Sequence, residues 1–156
     1  MADATTKLTT STQVTHIGSG TSLAAGAVNP ASDISTALAH TGNLARYPRA
    51  NVTLMIAPTA SIASTSTNIY LYRRDINTDG TNDDPVPATS NKQKYAGAFQ
   101  ASASTTASTT QYLTIVDVPL PAGNDCEFYV ENALGVNIPV GWTLKITPVA
   151  DVGATT

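Results

Sequence analysis

The feature that most constrains this chain is an alternation of apolar and polar residues with a period of two, cut repeatedly by proline, glycine and Ser/Thr tracts. Residues 51–57 place Val52, Leu54 and Ile56 on one face and Asn51, Thr53, Met55 and Ala57 on the other. The spacing recurs in 68–74, where Ile69 and Leu71 oppose Tyr70 and Tyr72. In 142–148, Trp142, Leu144 and Ile146 oppose Thr143, Lys145 and Thr147. Within 126–130, Cys126, Phe128 and Val130 read as an inner face, with Glu127, Tyr129 and Glu131 outside. In 111–118, Leu113 and Ile115 oppose Tyr112, Val116 and Val118. Successive side chains of a strand point to opposite faces, so each run has one face to bury. Segments 95–101 and 8–17 are weaker strand candidates.

Breakers separate these runs: Pro58, the 61–67 Ser/Thr tract, Asp79-Gly80, Pro85, Pro87, Pro119, Pro121, Gly123, Gly135, Pro139 and Gly141. Turn residues at that spacing predict an all-β fold, an antiparallel β-sandwich of about eight strands. Segment 32–42 fits less well. Ser32 would cap a short helix that Gly42 ends, whereas Ile34, Thr36 and Leu38 read as a strand. Its helical turn gathers few apolar residues, which favours irregular or extended chain. A length of 156 residues supports one core without staples, hence one domain over 1–156. The ends near 1–6 and 150–156 carry little apolar content and are expected to be loose.

Charge narrows the function. Charged residues make up 12% of the chain, with a net charge of −3, against roughly a quarter in ordinary soluble domains. There is no basic field to grip phosphates, so nucleic acid is not an expected partner. No apolar run reaches transmembrane length, so neither is a membrane. The first twelve residues are polar, with Lys7 the only cationic side chain among them, unlike a secretory signal. Cys126 is the single cysteine and cannot pair within the chain, which suits a reducing cytoplasm. Ser and Thr make up roughly a quarter of the residues, so the surface is neutral and hydroxyl-rich. A surface poor in Lys and Glu resembles an interface more than free surface.

The sharpest chemical motif is the stretch 75–84. Asp75, Asn77 and Asp79 followed by Gly80 match the opening of an EF-hand calcium loop, and Asp83 adds a further oxygen. The match fails at its twelfth position, where Val86 stands in place of a bidentate Glu, with Pro85 before it. The flank at 69–72 reads as a strand, so a hairpin loop is the favoured reading and no metal or cofactor is expected. Catalysis finds no support. His16 and His40 lie in Thr- or Ala-rich surroundings, and no serine sits in a Gly-x-Ser-x-Gly elbow. Cys126 shares an apolar face with Phe128 and Val130 and reads as a buried hydrophobe. Glu127 and Glu131 are about 13 Å apart at strand rise, too far for a glycosidase pair. Gly18-Ser-Gly20 lacks the third glycine of a phosphate loop. The chain is therefore not expected to be an enzyme. Tyr70, Tyr72 and Tyr129 form a candidate platform for stacking a sugar.

Taken in order, several stretches carry a resemblance. They are Asp33-Ile-Ser-Thr-Ala-Leu38, Val52-Thr-Leu54, Ala57-Pro-Thr-Ala60, Ile69-Tyr-Leu-Tyr72 with its Asp-Gly-Thr-Asn loop, and Gly97-Ala-Phe99. Thr109-Thr-Gln-Tyr-Leu113, Asp117-Val-Pro-Leu-Pro121, Phe128-Tyr-Val-Glu-Asn132 and Gly141-Trp-Thr-Leu-Lys-Ile-Thr-Pro148 complete the series. From about Asp33 to Pro148 the chain resembles small β-rich virion proteins of tailed bacteriophages, the capsid cement or decoration proteins. That resemblance implies a jelly-roll or related sandwich on the capsid exterior, made in the bacterial host cytoplasm. It also implies binding to the major capsid protein and to copies of itself, as a dimer or trimer. It transfers no catalytic residue, and the family's equivalent of the Asp79-Gly80 loop looks like a turn. Two alternatives remain: a host-glycan-binding sandwich of a head or tail fibre, and a tail or baseplate structural sandwich.

Overall fold

A computed structural model of the chain describes residues 7–39, 47–77 and 79–152. It contains eight strands: β1 (Lys7–Thr10), β2 (Val14–Ile17), β3 (Arg49–Ile56), β4 (Asn68–Ile76), β5 (Tyr95–Gln100), β6 (Gln111–Pro119), β7 (Asp125–Asn132) and β8 (Thr143–Val152). All named pairings are antiparallel. One sheet runs β1-β8-β3-β6, with β2 also on β8; the other runs β5-β4-β7. β1 and β2 lie end to end along the same side of β8, β1 against Val149 to Val152 and β2 against Leu144 to Ile146.

The open side of β7 is occupied too. Val28 bridges Glu131, Leu38 bridges Cys126, and the Asn29 N–H donates to the Val130 carbonyl. Pro30, which has no N–H to give, and a 3-10 turn over Ala31–Asp33 interrupt this segment and keep it from being a regular strand. Residues 28–38 thus act as an eighth sheet position. The pairs now nest: β2 with β8, 28–38 with β7, β3 with β6, β4 with β5. An antiparallel ribbon folded once and rolled so that its pairs fall in two facing sheets is a jelly roll. This is the sandwich that alternation and breakers predict. Segment 32–39 is the single 3-10 turn followed by extended chain; positions 40–42 lie outside the described residues.

The core follows the period-two reading for most strands. Val52, Leu54 and Ile56 from β3, Ile69 and Leu71 from β4, and Leu144 and Ile146 from β8 are all fully buried. Trp142, just before β8, is buried beside Gly20, where an added Cβ would stand 2.0 Å from its ring. Glycine there lets the backbone approach the indole, and the Trp142 Nε1–H donates to the Thr21 carbonyl at 2.8 Å.

Three expectations need correction. First, Val118 is buried rather than on the Tyr112 face. Asn51 of β3 faces two β6 residues, Val116 and Asp117, in a bulge where Asp117 adopts φ 57°. One extra residue reverses the phase, turning Val118 inward. Second, the outer side of β7 is not open: Tyr129 is fully buried and Glu131 is 5% exposed. The 77–94 connection is tied across this side, with Lys92 on Glu131 and the Asp84 carbonyl accepting from Arg74 Nε. Third, the C-terminal stretch is not loose from residue 150, because Ala150, Asp151 and Val152 belong to β8 and pair with β1. Residues 1–6 and 153–156 lie outside the described residues.

Candidate interaction surface

Strand direction brings four connections to one end of the sandwich: 18–27, 57–67, 101–110 and 133–142. They are bound to one another mainly through backbone. Leu23 bridges Ile138, and Ile62 bridges Ser104. The Thr59 N–H donates to the Asn137 carbonyl at 3.1 Å, and the Ser108 N–H to the Pro58 carbonyl at 2.7 Å. Asn137 also accepts from the Ala25 N–H through its side-chain oxygen. None of these four segments contains an Asp, Glu, Lys, Arg or His. Their exposed positions are Ser, Thr, Ala, Gly and Asn, together with Val140 at 71% exposure. Charge resumes just inside the strands: Glu131, two residues before 133–142, is buried, and Asp33, six residues past 18–27, is buried and accepts from the Thr21 N–H and hydroxyl.

The opposite end collects the charge. β4 ends in Arg73, Arg74 and Asp75, and the 77–94 connection adds Asp79, Asp83, Asp84, Lys92 and Lys94. Arg73 Nε lies 2.7 Å from Asp75 Oδ1, and Lys94 Nζ lies 2.8 Å from Asp75 Oδ2 and also pairs with Asp84. Arg74 pairs with Glu127 at 3.0 Å and Asp83 at 3.5 Å. Burial pushes Asp84 up, yet Lys94 and the Asp75 N–H outweigh it and hold its carboxyl below the usual range. The two carboxylates in turn raise Lys94.

These pairs decide what becomes of the calcium-loop residues. Consecutive strand residues alternate in direction, so Arg73 and Arg74 draw Asp75 and Asp83 to different sides of β4. Asp83 Oδ1 accepts from the Asn77 N–H, Asp79 Oδ1 from the Thr81 N–H, and the Asn77 amide donates to the Thr81 and Asn82 carbonyls. Asp75, Asn77, Asp79 and Asp83 therefore hold a turn together, and their oxygens do not converge on a point. Among the described residues, no three His, Cys, Asp or Glu side chains form a group fit to hold a metal.

The tyrosines are reorganised as well. Tyr70 and Tyr72 meet a ring absent from the expected platform, Tyr95, which stands edge-on to both with centroids 6.2 Å apart. Tyr95 is 60% exposed, whereas Tyr72 and Tyr129 are buried. The Tyr72 hydroxyl donates to Glu131 and the Tyr129 hydroxyl to Glu127, each at 2.7 Å; burial first, then these carboxylates, raise both phenols. Neither ring is free to stack a sugar. Cys126 is buried, and burial pushes its thiol up to about 12, so it stays protonated and inert. His16 is fully buried, and His40 lies outside the described residues.

Thr53, Met55, Tyr112, Thr143 and Lys145, with Gln13, line a shallow depression of about 330 Å³. Tyr112 and Val116 are more than half exposed there. The absence of charge in the four separate breaker segments of the tip is visible in the sequence. Only the strand order shows that the four meet. No family model matches the chain, and no curated protein matches it.

Proposed function

We propose that this chain is a virion structural protein, a cement or decoration sandwich that binds the major capsid protein of a tailed phage and associates with copies of itself on the capsid exterior. The observation that carries the reading is the segregation of charge: the four connections at one end of the jelly roll hold no ionisable residue, while the other end holds most of the ion pairs among the described residues. Docking an end made of Ser, Thr, Ala and Gly costs little side-chain entropy and desolvates no ion. The charged end would remain in water and keep neighbouring particles apart. A repeating lattice then multiplies a weak contact into durable attachment, since each added copy or bridge is held at high effective concentration. The ordered sequence likeness to phage decoration proteins supports the same assignment.

The test is co-sedimentation of the purified chain with particles assembled from the major capsid protein encoded beside its gene. Wild type is expected to bind. Charged substitutions at exposed tip positions (Ser64→Asp, Ala103→Asp, Val140→Lys) are expected to lower occupancy at least tenfold, while Thr81→Lys at the other end leaves it unchanged. Particles lacking the protein should lose heat stability. Deletion particles as stable as wild type would count decisively against the reading.

A further inference from the structure

His16 sits where three parts of the roll meet. It lies in β2 at a register break against β8, fully buried, while its backbone carbonyl accepts from the Ser35 N–H of the 28–38 segment at 2.9 Å. Its ring spans the gap to the second sheet. Nδ1 lies 2.6 Å from the Thr36 carbonyl, which can only accept, so Nδ1 carries a proton. The Phe128 N–H, which can only donate, points at Nε2 from 2.9 Å, so Nε2 must be bare. The partners therefore dictate one neutral tautomer, and the ring also packs edge-on against Phe128 with centroids 6.1 Å apart.

We propose that His16 is an acid-sensitive latch that closes the β2/28–38 edge of the sandwich when neutral and loosens it when protonated. A proton on Nε2 would face the Phe128 N–H, donor against donor. The Phe128 carbonyl, 3.2 Å from Nε2, offers the protonated ring an acceptor, but only by leaving that buried N–H unpaired. Charged groups nearby do not rescue the cation. Glu127 of β7 favours it weakly from a side chain already committed to Arg74 and the Tyr129 hydroxyl. Asp33 of the 3-10 turn is taken by Thr21, and Lys145 of β8 is exposed on the outward side, opposite Thr15. Cys126 of β7 stays a neutral thiol. Burial is the largest influence and holds the ring below its ordinary value of 6.5. The unfolded or opened chain then takes the proton first, so closure is strongest above that pH and declines as pH falls below it. This inference stands whether or not the chain is a capsid protein.

Hydrogen exchange of the purified chain at pH 7.5 and 5.0, corrected for intrinsic rates, reads the latch directly. The amides of Ser35, Thr36, Leu38 and Phe128 should lose at least tenfold protection at pH 5.0, while those of β3 hold theirs. His16→Gln, whose amide oxygen accepts from Phe128 without titrating, should flatten the pH dependence. Nitrogen-15 NMR of the wild-type imidazoles needs no core variant, and His40→Gln assigns the two rings. It should show the Nδ1–H tautomer at pH 7.5 and titration below 6.5. An Nε2–H tautomer, titration at or above that value, or an edge equally protected at both pH values would overturn the proposal.

Discussion

The two ends of this jelly roll both have long connections to hold in place, and they do so with opposite chemistry. At the tip, loops of Ser, Thr, Ala and Gly are held by backbone hydrogen bonds and by one large anchor, Trp142, seated over Gly20. At the other end and along the outer side of β7, side chains do the fastening, through Arg73, Arg74, Lys92 and Lys94 on Asp75, Asp83, Asp84, Glu127 and Glu131. Backbone bonds and a buried indole are indifferent to salt and pH, whereas ion pairs are sensitive to both. The tip is thus constant in shape across conditions and cheap to desolvate. The charged end is adjustable and stays wet.

The largest effect should come from removing the tip's anchor. Trp142→Ala deletes a buried ring and its bond to Thr21 and is expected to cost about 4 kcal/mol in urea unfolding. Gly20→Ala, which drives a methyl into the indole, should cost about 2 kcal/mol. A loss below about 1 kcal/mol for Trp142→Ala, the size of a surface change, would mean that the tip is not held as one unit. Among the side-chain fastenings the comparable buried group is Glu131, on the outer side of β7, which accepts from Tyr72 and Lys92. Glu131→Ala leaves the buried Tyr72 hydroxyl without its acceptor and should cost about 2 kcal/mol, and Tyr72→Phe about 1 kcal/mol. The same urea titrations check both, and the order Trp142 above Glu131 is the comparison in numerical form.

Alternation makes β3 legible because it buries every second residue from end to end, and it does the same over 68–71 of β4 and 143–148 of β8. It misled where the period breaks. The bulge at Asp117 has no glycine to announce it and lies between Val116 and Val118, so strict alternation puts Val118 on the wrong face. The outer side of β7 looked exposed because Glu127, Tyr129 and Glu131 are polar-tipped. Their partners Arg74, Tyr72 and Lys92 come from 30 or more residues away and cannot be seen locally. Segment 32–42 is ambiguous for a physical reason: its described part belongs to a stretch, 28–38, that completes a sheet without regular pairing, broken by Pro30 and a 3-10 turn. The burial of His16 was not legible either, since it depends on a register break against β8.

A smaller effect should separate the ends by pH and salt. Asp84 has a folded value below its ordinary 3.8, so its contribution is present above that pH and is lost as pH falls through the folded value. Lys94 is raised above its ordinary 10.5, so its contribution is full below that pH and is lost as pH rises through the folded value. The 77–94 connection should therefore loosen at both extremes, and also in 1 M NaCl, where the Debye length shrinks to about 3 Å. Proteolysis or hydrogen exchange under these conditions should open 77–94 and leave 57–67 and 101–110 unchanged. Equal loosening of both ends would erase the distinction.

The smallest expected effect is none, and it concerns calcium. For Asp75, Asn77, Asp79 and Asp83 to ligate an ion, Asp75 must leave Arg73 and Lys94, Asp83 must leave Arg74, and the Asn77 amide must turn away from two carbonyls. Each exchange strands a cation or a donor that is now satisfied. An ion bound with a dissociation constant of 1 mM would stabilise the fold by about 0.4 kcal/mol at 1 mM calcium, and one bound a hundredfold more tightly by about 2.7 kcal/mol. We expect no rise in Tm at 1 mM calcium relative to chelator, and no heat in a titration of chelator-stripped protein. A reproducible rise with calcium but not with magnesium would show that the ion pairs at this end yield to a harder cation. The charged end would then be adjustable by metal as well as by salt and pH, and its contrast with the tip would widen.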